Sequence, residues 1–100
     1  MGHIIGEIKG IYTEESIPFK GMIEIIRQDP DHGTVYANWQ AFTLGGDNIA
    51  GRSRTYFIGN LKIDEAMNSK VISLVTEDIS NYRINRKNAF AEVEVTITIK

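Results

Sequence analysis

The sequence predicts a mainly β fold, in which residues 1–100 form a single-domain antiparallel β-sandwich or small barrel of six to seven strands. Two observations support this prediction. Residues 93–99 alternate strictly between apolar and polar side chains, as expected of a half-buried strand, whose side chains point to opposite faces with period two. The other apolar segments are short and separated by turn residues, which favours antiparallel neighbours over βαβ units.

The first two predicted strands cover residues 3–12 and 17–28. Gly6 and Gly10 lie inside the first, where a glycine often marks a bulge or the close approach of another backbone. The second carries apolar residues on both of its faces, which implies that something covers the second face.

A strong turn signal, Asp-Pro-Asp-His-Gly at residues 29–33, leads into a third predicted strand at residues 34–44. Its apolar alternation places the Trp39 face in the core. A glycine-rich loop is expected at residues 45–51 and a fourth strand at residues 52–59.

Residues 61–76 fit two structures, with at most one short helix in the segment. Apolar residues recur there at helical spacing. However, residues 71–76 are rich in β-branched side chains and short enough for a buried strand. We expect a turn or short helix at residues 64–69, a strand at residues 70–77, and a further short strand at residues 79–85.

The composition is that of an ordinary globular domain, with 42% apolar and 24% charged residues. The absence of cysteine excludes disulfides, thiolate catalysis and cysteine-ligated metal sites. With no signal-peptide pattern and no long apolar run, we expect a soluble, cytoplasmic protein without membrane association. The net charge of −2 divides into −4 for residues 1–50 and +2 for residues 51–100.

No catalytic constellation is visible, so the sequence predicts neither an enzyme nor a cofactor-binding or metal site. His32 lies next to Asp31 and near Asp29, and such residues can ligate a divalent ion. The same residues are typical of a tight turn, which is our interpretation. No serine lies in a Gly-x-Ser-x-Gly elbow.

The leading hypothesis is a non-enzymatic protein-interaction or structural assembly module that self-associates, as a homo-oligomer or with another protein, through β-sheet surfaces. A long apolar terminal strand at a sheet edge would invite another strand. The candidate self-association surface comprises Met22, Ile26, Val93, Val95, Ile97 and Ile99.

Two alternatives remain open. One is a β domain that binds single-stranded nucleic acid, because cations and aromatic residues on a β surface hold such strands. The candidate nucleic-acid surface comprises Arg52, Arg54, Tyr56, Tyr82, Arg83, Arg86 and Lys87. We also expect a turn at residues 86–88. The other is a β-barrel that holds a small ligand in a cavity, with the loop at residues 45–51 at its mouth. Its candidate lining comprises Tyr36, Trp39 and Phe42.

Overall fold

The computed structural model describes residues 4–59 and 65–98. Most of them lie in strands, so the predicted mainly β, antiparallel fold is confirmed. In chain order the elements are β1 (Ile4–Tyr12), β2 (Ile17–Asp29), β3 (Thr34–Thr43), β4 (Asn48–Phe57), α1 (Glu65–Ser80), β5 (Arg83–Ile84), β6 (Lys87–Asn88) and β7 (Phe90–Thr98).

Five strands form one antiparallel sheet in the order β4-β3-β2-β1-β7. The first four follow one another as a meander, and β7 returns to pair with the free side of β1. Because β4 and β7 are opposite edges and do not pair, the sheet is not closed, and the prediction of a barrel is wrong. The other described sheet contains only β5 and β6, so a sandwich within one chain is not confirmed.

One face of the large sheet, which we call the inner face, carries the core. Trp39 is completely buried there and lies directly opposite Ile23 of β2. This confirms the predicted core face of β3. The largest fully buried side chains are Trp39, Phe19, Ile8, Ile23, Ile79, Val35, Val71 and Val75.

Helix α1 covers the inner face with one apolar stripe. Val71, Val75 and Ile79 follow one another at four-residue spacing, and all three are completely buried. The strand predicted at residues 70–77 is therefore wrong, and of the strand predicted at residues 79–85 only Arg83–Ile84 exists. A β-branched residue costs a helix at most about 0.7 kcal/mol. Burial of each such side chain contributes about 1.5–3 kcal/mol, so packing on the sheet outweighs local propensity.

The turn between β2 and β3 is as the sequence predicts. His32 and Gly33 donate backbone hydrogen bonds to the carbonyls of Asp29 and Pro30. Gly33 has a φ of 65°, and a Cβ there would lie 2.6 Å from the carbonyl oxygen of Gly59, so the turn and the end of β4 meet at a glycine.

The loop predicted at residues 45–51 is shorter than expected. Thr43 donates a backbone hydrogen bond to Asp47, and Gly46 donates one to Thr43, which closes a tight turn. β4 starts at Asn48 rather than at Arg52, so part of the predicted loop is already strand.

A β-bulge interrupts the pairing of β1 with β7. Lys9 pairs with Glu94 and Ile11 pairs with Ala91, so β7 has one residue more than β1 in this interval. Glu92 takes a φ of 51° at the bulge, and a Cβ on Gly10 would lie 2.7 Å from the Ala91 carbonyl oxygen. The close backbone approach predicted from Gly10 is confirmed.

The buried stripe of α1 provides a test of the fold. Replacement Ile79→Ala should lower the free energy of unfolding by about 2–5 kcal/mol, because it leaves a cavity between the helix and the sheet. The matched control Glu77→Ala changes an exposed side chain two residues earlier and should stay within about 0.5 kcal/mol of the wild type. Urea denaturation followed by circular dichroism measures both. Equal midpoints for the two variants would contradict the burial of this stripe.

Candidate functional site

The sheet face opposite α1, which we call the outer face, carries exposed apolar side chains. Ile5 of β1 and Met22 and Ile26 of β2 are 46%, 47% and 48% exposed. Ile5 pairs with Glu24, two residues from both Met22 and Ile26, so the three lie diagonally adjacent on one surface. We call these three residues the outer patch.

Two aromatic residues of β3 extend the outer patch. Tyr36 lies opposite Arg27, whose guanidinium carbon is 5.7 Å from the centre of the Tyr36 ring. Phe42 lies opposite Lys20, next to the pair formed by Met22 and Gln40. Both rings are half-buried, so the sheet presents a mixed aliphatic and aromatic surface to solvent.

The border of the outer patch carries charges of both signs. Lys9 forms a salt bridge with Glu94 at 3.7 Å, and both side chains are largely exposed. Lys9 also pairs with Lys20 across the strands, and Glu7 pairs with Met22. A shallow cleft of about 440 Å³ lies among these residues, lined by Glu7, Ile8, Lys9, Lys20, Gly21, Glu94 and Thr96.

The structure divides the predicted self-association surface. Met22 and Ile26 lie on the outer face, as a docking surface requires. Val95 is buried, and Val93 and Ile97 are half-buried against the core. Ile99 lies outside the described residues. The apolar side of β7 therefore serves the core, although β7 is a sheet edge.

The residues predicted to bind nucleic acid fall into two groups. Arg54 and Tyr56 lie on the inner face of β4, because they pair with Ala37 and Val35 of the core face. Asp78 of α1 binds both: its Oδ1 accepts a hydrogen bond from Arg54 Nη1 at 2.8 Å, and its Oδ2 accepts one from Tyr56 Oη at 2.7 Å. These contacts attach the helix to the edge strand, so Arg54 and Tyr56 have a structural role.

Tyr56 is nearly completely buried. Burial raises its pKa far above the ordinary value of 10, and the hydrogen bond to Asp78 raises it further. The phenol therefore remains a neutral donor to Asp78 throughout the range in which proteins normally work.

The second group gathers at the short hairpin of β5 and β6. The guanidinium carbon of Arg52 lies 5.3 Å from the centre of the Tyr82 ring, which brings β4 to the start of this hairpin. We call Arg52, Arg83, Arg86 and Lys87 the basic cluster. All four side chains are exposed.

The hairpin is held firmly to the rest of the fold. Arg83 Nε donates to Asn88 Oδ1, and Asn88 Nδ2 donates to the carbonyl of Ser80 at the end of α1, both at 3.2 Å. The hydroxyl of Thr13 donates to the carbonyl of Asn88 at 2.6 Å. Asn88 thus joins the helix, the hairpin and the turn after β1.

The predicted turn at residues 86–88 is displaced by one residue. Ile84 pairs with Lys87, so the two turn residues are Asn85 and Arg86. Their φ angles are 52° and 68°, and positive values at both positions are typical of a type I′ hairpin turn.

A cleft of about 390 Å³ opens between this hairpin and the end of β1. It is lined by Tyr12, Thr13, Glu14, Ile84, Asn85, Lys87, Asn88 and Ala89. The Tyr12 hydroxyl donates to Glu14 Oε2 at 2.6 Å, which, with partial desolvation, raises the pKa of Tyr12.

The predicted ligand cavity does not form. Trp39 is buried on the inner face, where its ring packs edge-on against Tyr82 at 5.5 Å between centroids. Tyr36 and Phe42 lie on the outer face, so the three residues are on opposite sides of the sheet. The indole nitrogen of Trp39 has no hydrogen-bond partner within the described structure.

The Asp29–His32 cluster is a turn whose side chains bind each other. His32 Nδ1 lies 2.8 Å from Asp29 Oδ2, and the His32 amide lies 3.3 Å from Asp29 Oδ1. Among residues 4–59 and 65–98 no group of three or more histidine or acidic side chains is arranged to hold a metal ion. The described helix is also too short and too polar to cross a membrane.

No family model matches the chain, and no curated protein or solved structure matches it significantly.

The contact between Tyr56 and Asp78 predicts a stability effect. Replacement Tyr56→Phe should lower the free energy of unfolding by about 1.5–3 kcal/mol, the range for a hydrogen bond to a charged group. Because the folded-state pKa of Tyr56 is raised, its stabilisation is complete below pH 10 and is lost as the pH rises above that value. The Phe variant should show a smaller loss of stability above pH 10.

The matched control for this prediction is Tyr36→Phe, which removes a phenol hydroxyl from the outer face. Urea denaturation at a series of pH values measures all three proteins. If the two variants were equally stable at neutral pH and equally sensitive to alkali, Asp78 would not be held by Tyr56 in solution.

Proposed function

We propose that this protein is a non-enzymatic assembly module that binds a second copy of itself through the outer face of its sheet. The observation that carries the proposal is the outer patch, in which Ile5, Met22 and Ile26 are each nearly half exposed on one continuous surface. Exposed apolar patches rimmed by polar residues are a common feature of protein–protein interaction sites.

The total exposed surface supports this proposal. The chain has a mass of 11.2 kDa and an accessible surface of 6450 Å². A folded monomer of that mass exposes about 5,700 Å² by the usual scaling. The structure therefore exposes about 750 Å² more than this scaling gives, as expected of a sheet with one uncovered face.

A second copy suits the charges around the outer patch. In a two-fold symmetric contact the same surface meets itself in the opposite direction. Lys9 and Lys20 lie on this border together with Glu7 and Glu94, so a border that carries both signs would meet a partner surface that also carries both. A partner of one charge sign would match only half of this border.

Association of two outer faces would also produce a β-sandwich. Two sheets that pack face to face lie about 10 Å apart and bury the side chains between them. The sandwich predicted from the alternating strands would then form between two chains, with one helix α1 on each outside surface.

The experiment is light scattering across a concentration series. The wild type should show a mass near twice 11.2 kDa. The double variant Met22→Lys/Ile26→Lys should show the mass of one chain, because burial of two unpaired ammonium groups opposes association. Circular dichroism should be unchanged, since both positions are nearly half exposed.

Leu44→Lys is the matched control. Leu44 is 60% exposed and lies after the last residue of β3, outside the outer patch, so the same substitution there should leave the dimer intact. A wild type with the mass of one chain at every concentration would overturn the proposal. A dimer unaffected by Met22→Lys/Ile26→Lys would exclude the outer face and leave the exposed backbone of β7 as the contact.

A further inference from the structure

The tip of the β5–β6 hairpin holds an arginine where the backbone favours glycine. Arg86 has a φ of 68° at the second central position of a turn in which both central residues have positive φ. Asn-Gly is the preferred pair in such a turn, because glycine has no Cβ to oppose positive φ. The Arg86 side chain is therefore held at a backbone position whose conformation is unfavourable for arginine.

The other members of the basic cluster belong to the same hairpin as Arg86 or contact the residue just before that hairpin. Arg83 and Lys87 belong to the same hairpin, and Arg52 stacks on the ring of Tyr82, the residue just before the hairpin. In contrast to Arg54, which pairs with Asp78, none of the four forms a salt bridge in the parts of the chain that the structure describes. Their positive charge is thus available to an anion from outside the chain.

The hairpin is suited to hold these cations in place. Asn88 binds Arg83 on one side and the carbonyl of Ser80 on the other, and Thr13 binds the Asn88 carbonyl. Since one contact braces the hairpin internally and two anchor it to the helix and to the turn after β1, less conformational entropy is lost when a ligand binds to it.

The cleft beside the hairpin indicates what kind of anion fits. Its volume of about 390 Å³ lies within the range of small-molecule sites. It combines the Tyr12 ring with the Asn85 amide and the Glu14 carboxylate. An aromatic ring stacks on a nucleobase, an amide pairs with a base edge, and a carboxylate accepts hydrogen bonds from a base amino group.

The Glu14 carboxylate also repels phosphate, so it favours the base in the cleft and the phosphates on the basic cluster. We propose that the β5–β6 hairpin binds single-stranded nucleic acid, with phosphates on Arg86, Lys87 and Arg52 and a base in the cleft beside Tyr12. A duplex would keep its bases stacked and unable to enter the cleft.

The test is fluorescence anisotropy of a labelled single-stranded oligonucleotide of mixed sequence, titrated with the full chain. Three phosphate contacts on a single strand predict a slope of about −2 in a plot of log affinity against log salt concentration. Affinity should therefore fall about twenty-fold between 50 and 200 mM salt. No binding at 50 mM salt, or binding independent of salt, would overturn the proposal.

Arg86→Gly separates the role of the charge from stability. Because glycine suits the backbone at this position, the variant should need more denaturant to unfold than the wild type. Its salt slope should become smaller by about 0.7, because one phosphate contact is lost. Lys87→Gln should reduce the slope by a similar amount without the gain in stability.

Arg27→Gln is the matched control, since Arg27 is an exposed arginine that stacks on Tyr36 of the outer face. It should bind the oligonucleotide as the wild type does. Equal losses for Arg27→Gln and Arg86→Gly would show a diffuse charge effect and overturn the site. Equally tight binding of a duplex or of poly-glutamate would overturn the assignment to a single strand.

Discussion

The chain must cross the whole sheet between β4 and β7, and this constraint determines the rest of the structure. Four strand spacings separate the two edges, a distance of about 19 Å. The 16 residues of α1 extend about 24 Å, enough for that distance. The helix packs on β7, and Asp78 connects it to Arg54 and Tyr56 of β4, so one element contacts both edges.

A single helix can cover only one of the two sheet faces. The fully buried side chains all belong to the inner face or to α1, and the largest of them, Trp39, lies there. The outer face keeps Met22 and Ile26 without a layer above them. The two proposed binding regions therefore have different physical origins. The outer patch is an apolar surface over which residues 4–59 and 65–98 place no second helix, whereas the basic cluster is charge held on a well-anchored turn.

Much of the sheet could be predicted because alternation with period two is visible in the sequence, and the Trp39 face was assigned correctly for this reason. Helix α1 could not be predicted in this way, because the β-branched residues at 71–76 favour a strand locally. Only their packing against the sheet makes the helix the more stable structure. The role of Arg54 depends on strand register and on Asp78, which is 24 residues away. The positive φ of Arg86 could not be predicted from the sequence either, because the usual signal for such a turn is Asn-Gly and this turn has Asn-Arg.

The bulge at Glu92 has a consequence for how β7 serves the core. Phe90 and Val95 are both buried, although they are five positions apart and a regular strand would place them on opposite faces. The extra residue opposite Gly10 changes which residues of β7 point to the inner face: even-numbered ones before the bulge and odd-numbered ones after it. Before the bulge, Phe90 packs against the aromatic rings of Tyr12 and Phe19. After the bulge, the aliphatic side chains from Val93 onwards pack against the core. Without the extra residue, β7 could bury either Phe90 or the aliphatic side chains from Val93 onwards on the inner face, but not both.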